Sequence, residues 1–111
     1  MGERNVSRPS GLELLILAAL DAREQYGLEI VDTVRQVTDG ATSISLGALY
    51  TTLHRMEKKG LVASKWGGAS KERRGARRRY YRLEGVGIRA LSLARASLVP
   101  LQQLARHGST S

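Results

Sequence analysis

Positive charge is concentrated in one quarter of this chain. Eleven lysines and arginines lie between positions 55 and 82, where only Glu57 and Glu72 oppose them, so the stretch carries a net charge of +9. The whole chain of 111 residues carries +8, so the remainder is close to neutral. A surface that was merely solvated would mix both signs along the chain, whereas guanidinium and ammonium groups at this density bind phosphates. The sequence therefore predicts a polyanionic partner.

Side chains that could read such a partner lie on a predicted third helix. Ser45 is a good N-cap, Gly60 ends the helix, and its inner stripe is apolar: Leu46, Leu49, Leu53 and Met56. The opposite face carries small, hydroxyl-bearing and cationic side chains. Such side chains let a helix approach a groove closely and meet phosphates and base edges. The candidate contacts here are Ser45, Gly47, Tyr50, Thr51, His54, Arg55 and Lys58, with Tyr50 at the border of the core.

A basic hairpin follows this helix. Residues 61–66 and 78–83 have the composition of two strands, and residues 67–77 between them are rich in glycine, lysine and arginine. Flexible cations suit a regular array of phosphates, and arginine also fits a narrow minor groove. The candidate contacts in this wing are Lys71, Arg73, Arg74, Arg77 and Arg78. We expect Trp66 to pack against the sheet, and Tyr80 and Tyr81 to face opposite sides of the second strand.

The first helix has no polar face over residues 14–20. Ser10 and Glu13 have the spacing of a capping box, which predicts a helix over residues 10–23. A helix that is apolar all round must be covered on all sides. In so short a chain we expect a second subunit to provide part of that cover. The predicted dimer contacts are Leu12, Leu15, Ile16, Leu91, Leu98 and Leu101.

The remaining elements complete one domain. A turn at residues 25–27 leads to a second helix over 28–38, whose inner positions are Ile30, Val34 and Val37. A last helix over 86–107 repeats apolar residues at coiled-coil spacing, and Pro100 predicts a kink or break within it. We divide the chain into a flexible arm (1–9), a DNA-binding domain (10–83), a dimerisation helix (84–107) and a frayed tail (108–111).

The composition argues against catalysis, cofactors and metal sites. The chain has no cysteine, its two histidines are far apart, and no carboxylate pair or glycine-rich phosphate loop forms a motif. The longest apolar run, residues 14–20, is too short to span a bilayer, and the N-terminus lacks a secretory signal pattern. We therefore expect a cytoplasmic protein that is not an enzyme.

Three helices followed by a basic hairpin are the order of a winged helix-turn-helix, a mainly α (α+β) fold. Four segments carry a resemblance to the PadR family of bacterial transcriptional regulators: residues 12–17, 26–30, 45–62 and 77–83, with Gly87, Ala90 and Leu91 after them. The chain looks like the short subgroup that has a single C-terminal dimerisation helix.

The resemblance implies a homodimer in which the last helix packs against the first helix of the partner. It implies binding to a roughly palindromic promoter site, repression of transcription, and DNA contacts by Tyr50 and its neighbours, with the wing on the backbone. Some members also bind a small-molecule effector at the dimer interface, for which the final helix here offers no aromatic side chain.

Two other functions stay open at this level. Basic charge alone does not separate DNA from RNA, so an RNA-binding or ribosome-associated module is one alternative, although RNA readers usually offer exposed aromatic side chains. A protein-interaction adaptor with a winged-helix fold is the other, and it would be expected to carry acids on the third helix or the wing.

Overall fold

A computed structural model describes residues 9–68 and 77–109. This part of the chain forms four helices and three short strands, in the order α1 (Gly11–Leu20), β1 (Gln25–Tyr26), α2 (Gly27–Val37), α3 (Leu46–Lys58), β2 (Val62–Trp66), β3 (Arg79–Leu83) and α4 (Gly85–Ser109). The strands form one antiparallel sheet in the order β1-β3-β2. Helices and a small sheet in this arrangement confirm the predicted winged helix-turn-helix. Most of the predicted arm and most of the wing tip lie outside the described residues.

The capping box at the start of α1 is confirmed. The Ser10 hydroxyl accepts from the Glu13 amide at 3.2 Å, and the Ser10 amide donates to the Glu13 carboxylate at 2.9 Å. The helix ends at Leu20, three residues earlier than predicted. Its apolar side chains fill the core together with α2, α3, the sheet and the first turns of α4, leaving Leu12 and Leu15 half-buried.

Two residues predicted to contact a partner subunit belong instead to the core of the single chain. Ile16 is 0% exposed and Leu91 is also buried, because α1 and the start of α4 pack against one another within one molecule. A side chain already covered by its own chain has no surface left for a partner. The prediction that Ile16 and Leu91 form dimer contacts was therefore wrong.

Glu13 is a buried carboxylate that joins α1 to α3. Lys59 donates to both of its oxygens, at 3.0 and 3.3 Å, and the Arg55 Nε lies 3.9 Å away. Burial by itself would raise the pKa of Glu13. The Ser10 amide and the two cations outweigh that effect and hold the pKa below its ordinary value. The ionised carboxylate thus fixes where the C-terminal end of α3 lies against α1.

This ion pair makes stability depend on pH. Because the pKa of Glu13 is lowered in the folded state, its contribution is fully present above about pH 4.5, the ordinary value, and is lost as the pH falls through the folded pKa. We expect Glu13→Gln to cost about 1–2 kcal/mol at neutral pH, a modest amount because Lys59 is 39% exposed. Urea unfolding of both proteins from about pH 7 to pH 3 should show the two free energies converging at the acidic end. If the difference between the two free energies of unfolding stayed constant over this pH range, Glu13 would not be the group that makes stability depend on pH.

The ends of α2 and α3 follow from local signals, but their inner stripes are shorter than predicted. Asp39 and Gly40, with φ of 53° and 80°, end α2, and Gly60, with φ of 77°, follows α3. Val37 is 62% exposed and Leu46 is also exposed, because the last turn of α2 and the first turn of α3 extend past the elements that cover their neighbours. Both were wrongly predicted to be inner positions. Thr52, which was not predicted, is buried and donates to the Ala48 carbonyl at 2.8 Å.

Residues 25 and 26, predicted to form a turn, are a strand. Gln25 pairs with Tyr81 and Tyr26 with Tyr80 on β3. The buried Gln25 amide donates to the Ala19 carbonyl at 2.7 Å and accepts from the Thr33 hydroxyl at 3.0 Å, so it fixes β1 to α1 and α2. Two residues are too few to show the alternation of a strand in the sequence. Only the pairing with β3 shows that they form one.

The last helix continues through Pro100 to Ser109, so the predicted break is absent. It begins one residue earlier and ends two residues later than predicted. Near its start, Gly87 is buried against the backbone of Leu61. None of the helices in the described part of the chain is both long and apolar enough to cross a membrane.

Candidate nucleic-acid interface

The outer face of α3 is exposed along its whole length. Gly47, Tyr50, Thr51, His54, Arg55 and Lys58 are all exposed, as is the N-cap residue Ser45. The Ser45 hydroxyl accepts from the Ala48 amide at 3.1 Å, so the first role of Ser45 is to begin the helix. These residues form one continuous surface with no exposed carboxylate among them, and their contact with DNA stays a prediction.

Tyr50 stands where this face meets the rest of the domain. Its side chain is 44% exposed, and its ring lies directly over Gly27, the first residue of α2. A Cβ atom at position 27 would overlap the Tyr50 hydroxyl group. The glycine therefore provides the space in which the phenol rests, half on the core and half in solvent, as its position on the helix predicted.

The cations of this face differ in how they are held. The Arg55 guanidinium leans toward Glu13 on one side while more than half of its side chain is exposed. Lys58 makes no ion pair within the part of the chain that the structure describes, so its ammonium group is available to a partner. The C-terminal half of α3 therefore presents positive charge, and none of it is fully cancelled on the exposed side.

At the base of the wing, Arg77 and Arg78 lie beside aromatic rings. Arg78 lies over the ring of Tyr26, with 4.1 Å between its guanidinium carbon and the ring centroid. Arg77 donates to the Gly67 carbonyl at 3.0 Å and lies 5.9 Å from the Trp66 ring. Lys71, Arg73 and Arg74, the predicted contacts of the wing tip, lie outside the described residues. The wing base thus holds two of its arginines in defined places beside the sheet.

A cleft of about 290 Å³ separates the outer face of α3 from the wing. It is lined by Tyr50, His54, Glu57, Trp66, Arg79 and Tyr81. Burial raises the pKa of the Tyr81 phenol, which is therefore uncharged at neutral pH. The shared lining shows that the predicted contacts on α3 and the base of the wing adjoin one another on one side of the molecule.

A hydrogen-bonded network holds the two sides of the cleft together. The Ser64 hydroxyl on β2 donates to Glu57 of α3 at 2.7 Å, and Arg79 on β3 donates to Ser64 at 2.9 Å and to Glu57 at 3.4 Å. Neither Glu57 nor Arg79 was predicted to have a role at this site. Because these contacts join α3 to both long strands, they fix the angle between α3 and the wing base.

Trp66 was predicted to pack against the sheet, yet it is one of the exposed large apolar side chains. It lies at the end of β2 in register with Arg79. Residues two apart share a face of a strand, so Trp66 is on the face of the buried Val62 but beyond the edge of the core. That alternation was the signal in the sequence for its direction. In contrast, the predicted division of Tyr80 and Tyr81 is confirmed, since Tyr81 is buried and Tyr80 only half-buried.

Comparison with known proteins identifies relatives of the whole domain. Residues 16–93 match the model of the transcriptional regulator PadR-like family. A protein of Lysinibacillus sphaericus, described only as uncharacterized, is 31% identical over 81 residues, which cover 73% of this chain and 72% of that protein.

Solved structures agree with this match. A transcriptional regulator of Clostridium thermocellum superimposes with a TM-score of 0.67 and 28% identity over 85% of both chains. Bacillus subtilis PadR, solved in complex with operator DNA, superimposes with a TM-score of 0.66 over 75% of this chain and 45% of that one. At 18% identity the latter likeness concerns the fold alone.

Proposed function

The chain belongs to the PadR-like family of transcriptional regulators, and from this we propose that it binds a roughly palindromic promoter site as a homodimer and represses transcription from it. The observation that carries the proposal is the adjacency of two surfaces: the exposed outer face of α3 and the arginine-bearing base of the wing, which line one cleft. A duplex that meets one of these surfaces would meet the other as well.

The two surfaces suit different parts of a duplex. A helix whose exposed residues are small, hydroxyl-bearing or cationic fits the major groove, where base edges present hydrogen-bond donors and acceptors. Arginines on a hairpin suit the phosphates beside that groove. We assign sequence preference to Tyr50, Thr51 and His54, and phosphate contact to Arg55, Lys58 and the wing cations: Lys71, Arg73, Arg74, Arg77 and Arg78. The cytoplasm is the compartment where such a regulator would meet promoter DNA.

The apolar surface of α4 supports the homodimer. Leu93 is 70% exposed, Leu98 is half-exposed, and Leu12 and Leu15 of α1 are only half-buried. Large apolar side chains left in water on a small domain indicate a covering surface. We therefore keep Leu12, Leu15 and Leu98 as dimer contacts and add Leu93. Leu101, whose side chain lies outside those described, stays a prediction, as does an effector at the dimer interface.

Binding to duplex DNA across a salt series tests the function. Each neutralised phosphate releases counterions, so contact with about 6–10 phosphates per dimer predicts a slope of roughly −5 to −9 for the logarithm of the binding constant against the logarithm of salt concentration. Fluorescence anisotropy of a labelled duplex measures it, and a single-stranded RNA of equal length is the comparison. A flat response with the duplex would overturn the proposal, and tighter binding to the RNA would favour an RNA-binding module.

A further inference from the structure

Trp66 is placed where a bound duplex would pass, and the function proposed above gives it no role. It is the only tryptophan of the chain and is 55% exposed. An indole that served only to stabilise the sheet would be expected to turn its ring onto the core, as Tyr81 does two residues along the partner strand. Here the ring instead lines the cleft that Tyr50 and His54 of α3 line from the other side.

Two guanidinium groups lie close to the indole. The guanidinium carbons of Arg79 and Arg77 are 5.5 and 5.9 Å from the ring centroid, within the usual range of a cation–π contact. Both cations therefore sit beside an apolar surface that water still reaches. An exposed indole ring with guanidinium groups beside it complements a ligand in which apolar and anionic parts alternate.

The charged side chains of the cleft restrict which kind of ligand could bind there. Glu57 also lines it, and its carboxylate is shared with Ser64 and Arg79, so Arg79 is partly neutralised and a free anion gains little deep in the cleft. Arg77 has no ion pair in the described part of the chain and is exposed. A ligand that places an uncharged ring against Trp66 and directs an anionic group toward Arg77 fits both the partial neutralisation of Arg79 and the exposure of Arg77.

The deoxyribose–phosphate backbone of DNA has this character, because each uncharged sugar is joined to a phosphate. A small molecule suits the cleft less well, because pockets for such ligands usually enclose most of the ligand, whereas Tyr50 and Trp66 on the two sides of this cleft remain 44% and 55% exposed. We propose that Trp66 packs against the sugar–phosphate backbone of a bound duplex, between the recognition helix and the wing, with Arg77 on the adjoining phosphate. This inference rests on the proposed function.

The single tryptophan provides its own probe. Titration of the full-length protein with an unlabelled duplex of about 20 bp, long enough for two helical turns, should quench or shift the emission of Trp66 and protect it from acrylamide. Because the contact is with the backbone, duplexes of different sequence should produce the same change at low salt. Anisotropy of a labelled duplex, measured in parallel, reports binding independently of Trp66.

Two variants separate contact with DNA from a structural role. Trp66→Ala should bind the duplex about tenfold more weakly, whereas Trp66→Phe, which keeps an aromatic plate, should lose no more than about threefold. Thermal unfolding of each variant shows whether the fold is kept. If Trp66→Ala unfolds, the change in emission and in acrylamide quenching of the wild-type protein on binding the duplex still decides the matter.

The outcomes distinguish the two proposals. A duplex that binds by anisotropy but leaves Trp66 emission and acrylamide quenching unchanged overturns this inference and leaves the regulator intact. Equal affinities of wild type and a folded Trp66→Ala variant do the same. A stronger emission change with single-stranded RNA than with duplex assigns the indole to base stacking and also overturns it. Absence of duplex binding in both assays overturns the proposed function itself.

Discussion

Replacement of Gly87 by alanine is expected to lower the free energy of unfolding by about 1–3 kcal/mol, even though alanine is the better helix former. Gly87 lies near the start of α4 and is buried. A Cβ atom there would overlap the Leu61 carbonyl oxygen, and it would lie 3.0 Å from the Leu61 carbonyl carbon and 3.2 Å from a methyl group of Leu17. The added methyl therefore meets backbone, which cannot rotate away as a side chain can.

The Leu61 carbonyl is held from two directions. The Leu61 carbonyl oxygen accepts from the Glu84 amide at 3.0 Å, and the Leu61 amide donates to the Met56 carbonyl at 2.9 Å. To make room, α4 must move away from the junction between α3 and β2. That shift would open the contact of Leu91 with the core, so the cost spreads beyond the mutated site.

Gly85→Ala provides the matched control, two residues earlier in the same helix. The nearest atom to a Cβ there is the Arg89 Nη1 at 3.5 Å, at the end of a flexible side chain. We expect this variant to melt at or slightly above the wild-type temperature, and Gly87→Ala to melt lower by roughly 4–8 °C for each kcal/mol lost. Measurements at equal protein concentration are needed because a dimer's stability depends on it. Equal melting of the two variants would show that α4 does not press on Leu61.

Features set by neighbouring residues were predicted from the sequence. The capping box of Ser10 and Glu13, the Ser45 cap and the glycine after α3 each depend on a few consecutive positions, and all three are confirmed. The exposed face of α3 also follows from spacing alone, because a helix repeats every 3.6 residues whatever surrounds it. The candidate site was predictable to the extent that it lies on such a helix.

Features set by distant contacts were not predictable. β1 exists because β3, over fifty residues later, pairs with it, and the cleft forms because Ser64 and Arg79 reach Glu57 on another element. Glu57 had been considered only as a charge opposing its basic neighbours. In the folded chain it positions the wing base, which no pattern within α3 could have indicated.

The error at Ile16 and Leu91 has a similar cause. The all-apolar sequence of α1 correctly predicted that more than one neighbouring element covers this helix. It did not indicate which of those elements belong to the same chain. The turn after β3 brings the start of α4 back onto α1, so the first turns of α4 cover the side that includes Ile16. Further along α4, Leu93 and Leu98 are exposed, and Leu98 therefore stays a predicted contact with a partner.

Removal of four wing arginines is expected to have the largest effect on DNA binding. Arg73, Arg74, Arg77 and Arg78, all changed to alanine, would remove up to eight phosphate contacts from a dimer. We expect affinity at moderate salt to fall on the order of 100-fold or more for every duplex tested, and the salt slope to become shallower by about one for each lost contact. The loss of the stacking between Arg78 and Tyr26 costs at most about 1 kcal/mol of stability, so the fold should persist.

A second set of four exposed arginines separates position from total charge. Arg23, Arg35, Arg89 and Arg95 lie away from the cleft, so their change to alanine lowers the net charge by the same four units per chain. If the wing holds the backbone, this control should bind with nearly the wild-type salt slope. Thr51→Ala, by contrast, should change the preference among duplexes selected from a random pool while leaving the slope unchanged, since base contacts carry sequence preference. If the two sets of arginines had equal effects, the duplex would be responding to overall charge, and α3 and the wing would have no separate roles.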